Sequence, residues 1–343
     1  MSTFDPDAAA APGAGIYGLP TTVEDAFVVI VPVPFEATTS YGGGTSKGPE
    51  AVHRASLQVD LFDHDTGRPY EAGIAMAPAA QQVIDWNDEA MALAAPIIEA
   101  GGDIAGNEQL ESNRERVNRI GEQLNEWVYW RSGELLRQGK LPVVLGGDHS
   151  VPFGSIRACA DHYAGMGILH IDAHADLREA YEGFTCSHAS IFHNVMTKIA
   201  GVGKLVQVGI RDLSNRENEM IERSNGRIVT FFDSDLAARK DEGVPFARIA
   251  DDIVAELPDN VYLSWDIDGL DPYLCPSTGT PVPGGLDWNE AVGLLRALSR
   301  AGKRIVGLDL CEVAPGESEW DANVGARLLY KMIGFALQSQ GRI

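Results

Sequence analysis

Four short stretches of the chain crowd together side chains able to bind a cation. Asp148 and His149 stand in GGDHS, and Asp172, His174 and Asp176 in DAHAD. Asp266 and Asp268 stand in SWDIDGLDP, and Glu312 opens EVAP. In an extended segment, residues two apart point to the same side. Asp172, His174 and Asp176 can therefore share a face, and so can Asp266 and Asp268. The intervening Ala173, Ala175 and Ile267 are apolar and face the other way. Four carboxylates gathered in one place could not all stay ionised, because repulsion would raise their pKa values. Two divalent ions would neutralise them. The expected ligands are His149, Asp172, His174, Asp176, Asp266 and Asp268, a set rich in oxygen and free of thiolate. Such a set suits Mn²⁺ better than a structural zinc and leaves Ni²⁺, Co²⁺ and Fe²⁺ open. Ordinary Asp caps at strand–loop junctions would explain one of these motifs, but not three together.

The motifs need a scaffold that brings distant stretches to one place. Each follows a short apolar run: LPVVLGG before Asp148, MGILHI before Asp172, VYLSW before Asp266 and RIVGLDL before Glu312. LVQVGI and RIVTFF are runs of the same kind, and AFVVIVPVPF (26–35) is the earliest. Near-continuous β-rich runs mark strands buried on both faces. Alternation with helical segments predicts a parallel sheet with helices on both sides. The predicted fold class is α/β, a three-layer α/β/α arrangement around a central, mostly parallel sheet. In such sheets the site lies outside the carboxyl ends of the strands, where all four motifs fall. A helix is expected near Pro49, since proline favours the first helical turn. Residues 86–139 are mostly helical in pattern, with Val117, Ile120, Leu124, Trp127, Val128 and Leu135 at helical spacing. Trp127 and Trp130 read as packing residues. Residues 1–24 read as an irregular arm and residues 25–343 as a single domain.

Composition narrows the partners. Hydrophobic residues make up 45% of the 343, and charged residues 22%, enough apolar material for a large core and too much for disorder. No apolar run is long enough to cross a bilayer, and the start of the chain lacks the pattern of a signal peptide. A cytoplasmic location is expected, with no membrane partner. Lys and Arg number 27 against 49 Asp and Glu, a net charge of -22. That surface repels nucleic acid and anionic membranes. It is compatible with a cationic substrate, although solubility alone would account for it. The four cysteines, Cys159, Cys186, Cys275 and Cys311, form no CxxC pair, which argues against a zinc ribbon or redox motif.

VLGGDHSV, HIDAHADL, SWDIDGLDP, TGTPVPGGL and EVAP, preceded by PVPFEATTSYGGGTSKGPEAV, together resemble the ureohydrolases: arginase, agmatinase, guanidinobutyrase and their relatives. The resemblance spans most of the chain and implies an arginase-like fold and hydrolysis of a guanidino C–N bond with release of urea. It implies that His149 and Asp176 hold one metal, that His174 and Asp268 hold a second, and that Asp172 and Asp266 bridge them. Glu312 would pair with the substrate guanidinium, apt because a carboxylate meets that group through two parallel hydrogen bonds. Asp176 would pass a proton to the leaving nitrogen, and His188 in CSHAS would exchange protons with solvent. Asp148 reads as an orienting residue and Asp271 as a turn residue. The family also implies a homo-oligomer, a trimer or hexamer.

The substrate is less constrained. The segment LREAYEGFTCSH (177–188) lacks the Ser-Gly-Asn element with which arginases grip an amino acid, so L-arginine is disfavoured. Glu179 and Glu182 could attract a distal ammonium, as in an agmatine-like amine. SHASIFHNV departs from the SHGT-like string of agmatinases. That keeps nickel-dependent guanidine hydrolysis and a guanidino acid such as guanidinobutyrate in view, with Arg178 as a carboxylate partner for the latter. A single-zinc deacetylase of the same fold and a non-catalytic partner subunit are the readings from further afield.

Overall fold

The computed structural model describes residues 4–11 and 13–343. Eight strands form one sheet: β1 (Val28–Val33), β2 (Ile74–Met76), β3 (Leu141–Gly146), β4 (Met166–Ile171), β5 (Val202–Ile210), β6 (Ile228–Phe232), β7 (Asn260–Asp266) and β8 (Arg304–Cys311). Their order is β2-β1-β3-β8-β7-β4-β5-β6, and every pairing is parallel. The sheet is thus wholly rather than mostly parallel. Every residue of β1, β3 and β4 is buried, as expected for strands covered on both faces. The apolar runs mark seven of the strands. The eighth, β2, has three residues and lies at the sheet edge against β1, too short to show a period.

The covering helices are α1 (Gly48–Ser56), α2 (Gln81–Glu99), α3 (Glu108–Arg137), α4 (Phe153–His162), α5 (Ile191–Lys198), α6 (Asn215–Arg223), α7 (Asp233–Asp241), α8 (Phe246–Ala255), α9 (Trp288–Arg300) and α10 (Trp320–Ser339). On one face α1, α8, α9 and α10 bury Val28, Ile30, Leu169, Ile171 and Leu263. On the other, α2 to α5 bury Val29, Val31, Val144, Ile168 and Leu205. Neighbouring strand residues thus go to opposite layers. The long helical stretch breaks at residues 100–107, where Gly101, Gly102 and Gly106 take positive φ and Asn107 caps α3 by accepting from the Leu110 N–H at 3.2 Å. Trp127 packs on the core beside α2. Trp130 does not: it is 61% exposed, because it turns off the buried stripe of Leu124, Val128 and Leu135. Near the start of the chain, Ile16, Tyr17 and Leu19 are buried. The Tyr17 hydroxyl donates to the Ala326 carbonyl of α10 at 3.1 Å, which ties this stretch to the body. Among the described residues no helix is long and apolar enough to cross a membrane.

Parallel topology brings all carboxyl ends to one edge. The four strands that carry the motifs, β3, β8, β7 and β4, are also adjacent.

Candidate metal centre

His149 is the hub. Its Nδ1 lies 3.1 Å from Asp172 Oδ2, 3.5 Å from Asp176 Oδ2 and 3.4 Å from Asp266 Oδ2. His174 Nδ1 lies 3.1 Å from Asp268 Oδ2 and 3.4 Å from Asp172 Oδ1. All six predicted ligands therefore meet at one place. Two sets of donor atoms overlap here: His149, Asp172 and Asp176 together with His170, which was not predicted, and then Asp172, His174 and Asp268; a third set, His149, Asp309 and Cys311, lies behind them, and Asp266 joins the cluster through His149 alone. Asp172 is common to the first two, the position a bridging ligand must take. Backbone N–H groups hold one oxygen each of Asp268, Asp172 and Asp266. Ala173 donates to Asp268 Oδ1 at 3.0 Å, His174 to Asp172 Oδ1 at 2.6 Å and Asp268 to Asp266 Oδ1 at 2.9 Å.

Charge in this pocket is unbalanced. No Lys or Arg among the described residues comes within the 4.0 Å ion-pair distance of the four aspartates. Burial pushes Asp176 well above the usual carboxylate range, and the Asp172 charge adds to the shift. Burial does the same to Asp266, helped by Asp268 and Asp172. Burial acts upward on Asp172 too, but His170, His149 and His174 outweigh it and hold this carboxyl well below its usual range. Burial disfavours charge on His174, yet Asp268 and Asp172 push it up to about 12. Metal-free, the site would have to take up protons as its counter-charge. Two divalent cations would supply the same charge and match the oxygen-rich donor set, so the residues present fit a binuclear centre.

Comparison with known proteins gives the family. Residues 26–334 match the model of the arginase family. The chain belongs to the arginase family. It is 35% identical over 315 residues to the N(1)-aminopropylagmatine ureohydrolase of Thermus thermophilus, covering 92% of each chain. It is 31% identical to the agmatinase of Photorhabdus laumondii, over 90% of this chain and 87% of that one. Among solved structures, the agmatine ureohydrolase of Thermoplasma volcanium superposes with a TM-score of 0.72 at 23% identity, covering 95% of each chain. Proclavaminate amidino hydrolase from Streptomyces clavuligerus gives 0.71 at 20% identity, covering 97% of this chain and all (100%) of that one. This arginase-family member is a ureohydrolase, acting on linear amidines.

The rest of the site follows the ureohydrolase pattern unevenly. Glu312 sits just past β8 with φ 62°. The His149 N–H donates to its Oε1 at 2.8 Å. Its Oε2 takes no hydrogen bond from a described residue and faces the glycine backbone at Gly279. Burial and the charges of Asp266 and Asp148 push Glu312 well up. His188 is half-buried, 3.4 Å by Nδ1 from Ser187 Oγ. Burial and the neighbouring His174 lower it to about 4. Glu179 is exposed and Glu182 half-buried. Neither makes a hydrogen bond to the cluster, and the backbone of Glu182 packs on Gly102. Arg178 is engaged, 3.6 Å by Nε from Glu217 Oε2 and with its guanidinium over the Tyr181 ring. Asp148 is fully buried and accepts from the N–H and hydroxyl of Ser150. Burial pushes it to about 7 against those hydrogen bonds. Asp271 accepts from the Tyr273 N–H at 3.0 Å, a turn contact.

Several residues of the site stand outside the motif reading. Thr230, Gln207, His170, Ser264 and Asp309 are register partners on β6, β5, β4, β7 and β8 and form one polar row across the sheet. Thr230 Oγ1 donates to Gln207 Oε1 at 3.0 Å, and Gln207 Nε2 lies 3.1 Å from His170 Nδ1. His170 Nε2 then lies 2.7 Å from Asp172 Oδ2. On the other side His149 Nε2 lies 2.9 Å from Ser264 Oγ, which donates to Asp309 Oδ1 at 3.1 Å. The row thus supports both His149 and Asp172 from below. One signal existed: the two-residue alternation of DAHAD extends one step back to His170.

Proposed function

We propose that this protein hydrolyses the guanidino C–N bond of a cationic guanidino amine, agmatine or a longer agmatine derivative, giving urea and the free amine. Two divalent ions, Mn²⁺ before Ni²⁺, would be held by His149, Asp172, His174, Asp176, Asp266 and Asp268. The observation that carries this reading is the pair of overlapping donor sets sharing Asp172, with Glu312 beside them. When bound, such ions lower the pKa of water to near neutrality and orient it. The chain supplies the rest. Glu312 Oε2, held on a carboxylate pinned by the His149 N–H, is free to meet the guanidinium and fix its carbon. Asp176 carries a proton to the leaving nitrogen, and His188, at the rim, exchanges protons with solvent.

An amine rather than an acid fits the mouth of the site. Arg178, the partner considered for a substrate carboxylate, is already paired with Glu217 and stacked on Tyr181. Glu179 is exposed and free to attract a distal ammonium, and the net charge of -22 favours polycations. Curated relatives at 30–35% identity are named for agmatine and N(1)-aminopropylagmatine. The test is a urea-release screen over agmatine, N(1)-aminopropylagmatine, guanidine, guanidinobutyrate, guanidinopropionate and arginine, with Mn²⁺ and Ni²⁺ supplied separately. The amines should turn over fastest with Mn²⁺. Faster turnover of guanidine with Ni²⁺, or of a guanidino acid, would replace the substrate assignment; no urea from any of them would end it.

A further inference from the structure

Asp176 stands in a conformation its residue type disfavours, with φ 55°. A non-glycine residue keeps such a backbone only where its surroundings fix it. Here they do so on both sides. The Asp176 carbonyl accepts from the N–H groups of Phe192 and His193, at 3.0 and 3.2 Å, in the first turn of α5. The next N–H, that of Leu177, donates to Glu217 Oε1 at 3.0 Å. Glu217 lies forty residues further along the chain and is only 3% exposed. Its second oxygen accepts from Ser214 N and Ser214 Oγ, both at 2.7 Å, which completes the capping box of α6. One buried carboxylate thus joins the start of α6 to the peptide that follows Asp176.

We infer that Glu217 is a positioning residue for the metal centre: it locks the peptide after Asp176, so that the Asp176 carboxylate is presented to the ions in its left-handed backbone conformation. The inference rests on Asp176 being a metal ligand. Glu217 itself touches neither the cluster nor the place of the substrate. Without its acceptor the Leu177 N–H would lack a partner, and the loop would relax toward a less strained backbone that turns the carboxylate away. Outer partners of this kind typically change metal affinity by about 10–100-fold.

The capping box supplies an internal control. Ser214→Ala removes the cap hydroxyl and leaves the Leu177 contact intact. Glu217→Ala removes both and also the ion pair with Arg178, so Arg178→Ala is titrated beside it and should stay within about threefold of the parent. Glu217→Asp keeps an acid in the first turn of α6 but is too short to reach the Leu177 N–H, and it carries the test if Glu217→Ala does not fold. Each full-length variant would be stripped of metal and titrated with Mn²⁺, with free ion followed by its EPR signal. Melting curves of the stripped proteins would be compared in parallel. Glu217→Ala and Glu217→Asp should bind Mn²⁺ at least about tenfold more weakly than the parent, and Ser214→Ala should stay within about threefold. Wild-type affinity in Glu217→Asp, or an equal loss in Ser214→Ala, would overturn the inference. Asp176→Asn separates it from the reading beneath it. If Asp176→Asn loses Mn²⁺ affinity while the Glu217 variants keep it, only the positioning role fails. If Asp176→Asn binds normally, Asp176 is no ligand and both fail.

Discussion

Two groups of buried or half-buried acids in this molecule are balanced in different ways. In the loop between α1 and β2, Asp63 and Asp65 meet Lys331 of α10, whose Nζ is 2.7 Å from Asp63 Oδ2 and 2.6 Å from Asp65 Oδ2. Arg296 of α9 adds a contact to Asp65 at 2.7 Å. Burial acts upward on Asp65, but these two cations outweigh it and lower its carboxyl. At the carboxyl edge of the sheet, Asp172, Asp176, Asp266 and Asp268 find histidines but no Lys or Arg as ion-pair partners among the described residues. Two of those carboxyls are pushed well up instead. Where the charge is permanent and structural, the chain supplies a permanent cation. Where it supplies none, the acids can still take exchangeable ones, and that difference separates a structural tie from a candidate reaction centre.

The comparison breaks most severely if the central cluster does not depend on its acids. Asp172→Ala should cut urea release by on the order of 10³-fold or more, since several kcal/mol of transition-state stabilisation depend on the ions it would bridge. Activity near wild type would sink the binuclear reading. His188→Ala should cost about 10²-fold in kcat with little change in KM, with partial recovery in imidazole buffer. A change confined to KM would make it a binding residue.

Two smaller effects sharpen the contrast. Chelation should lower Tm by several degrees, because each site saturated a hundredfold adds about 2.7 kcal/mol of linkage stabilisation; Mn²⁺ should restore it. Lys331→Ala should instead destabilise by about 1–2 kcal/mol, discounted for partial exposure, with urea release per folded molecule unchanged. Its pH dependence has a definite sign. Asp65 is lowered in the fold, so its share is complete above the ordinary carboxylate range and is lost as pH falls through the folded value. Lys331 is raised by Asp63 and Asp65 against the opposing effect of burial, so its share is complete below the ordinary lysine range and is lost as pH rises through the folded value. Denaturant melts of parent and variant should therefore differ most between about pH 5 and 10, and converge outside that window.

What the sequence disclosed and what it hid divide along the same line. The motifs were readable because each follows an apolar run, and in DAHAD and DID the polar residues alternate two apart, a local pattern. The four runs LPVVLGG, MGILHI, VYLSW and RIVGLDL became β3, β4, β7 and β8, and the fold class followed from them. The supports were hidden because they are made across strands. Ser264 and Asp309 are 45 residues apart and meet only through the β7–β8 register. Glu217 reads as an ordinary first-turn acid until α6 is placed beside Leu177. The break at residues 100–107 was obscured by helical spacing on either side. Glu179 and Glu182 carried no local signal beyond their charge.

The polar row under the ligands has a consequence for how the sheet assembles. Val, Ile and Leu occupy both faces of these strands, so greasy contacts alone would tolerate a strand sliding along its neighbour by a residue. Thr230, Gln207, His170, Ser264 and Asp309 would not. A one-step slip of β4 would swing His170 into the opposite layer and strand its partners without water, at about 1–3 kcal/mol for each orphaned group. The same five side chains that steady His149 and Asp172 would thus act as a proofreading key, rejecting misaligned pairings before the pocket closes.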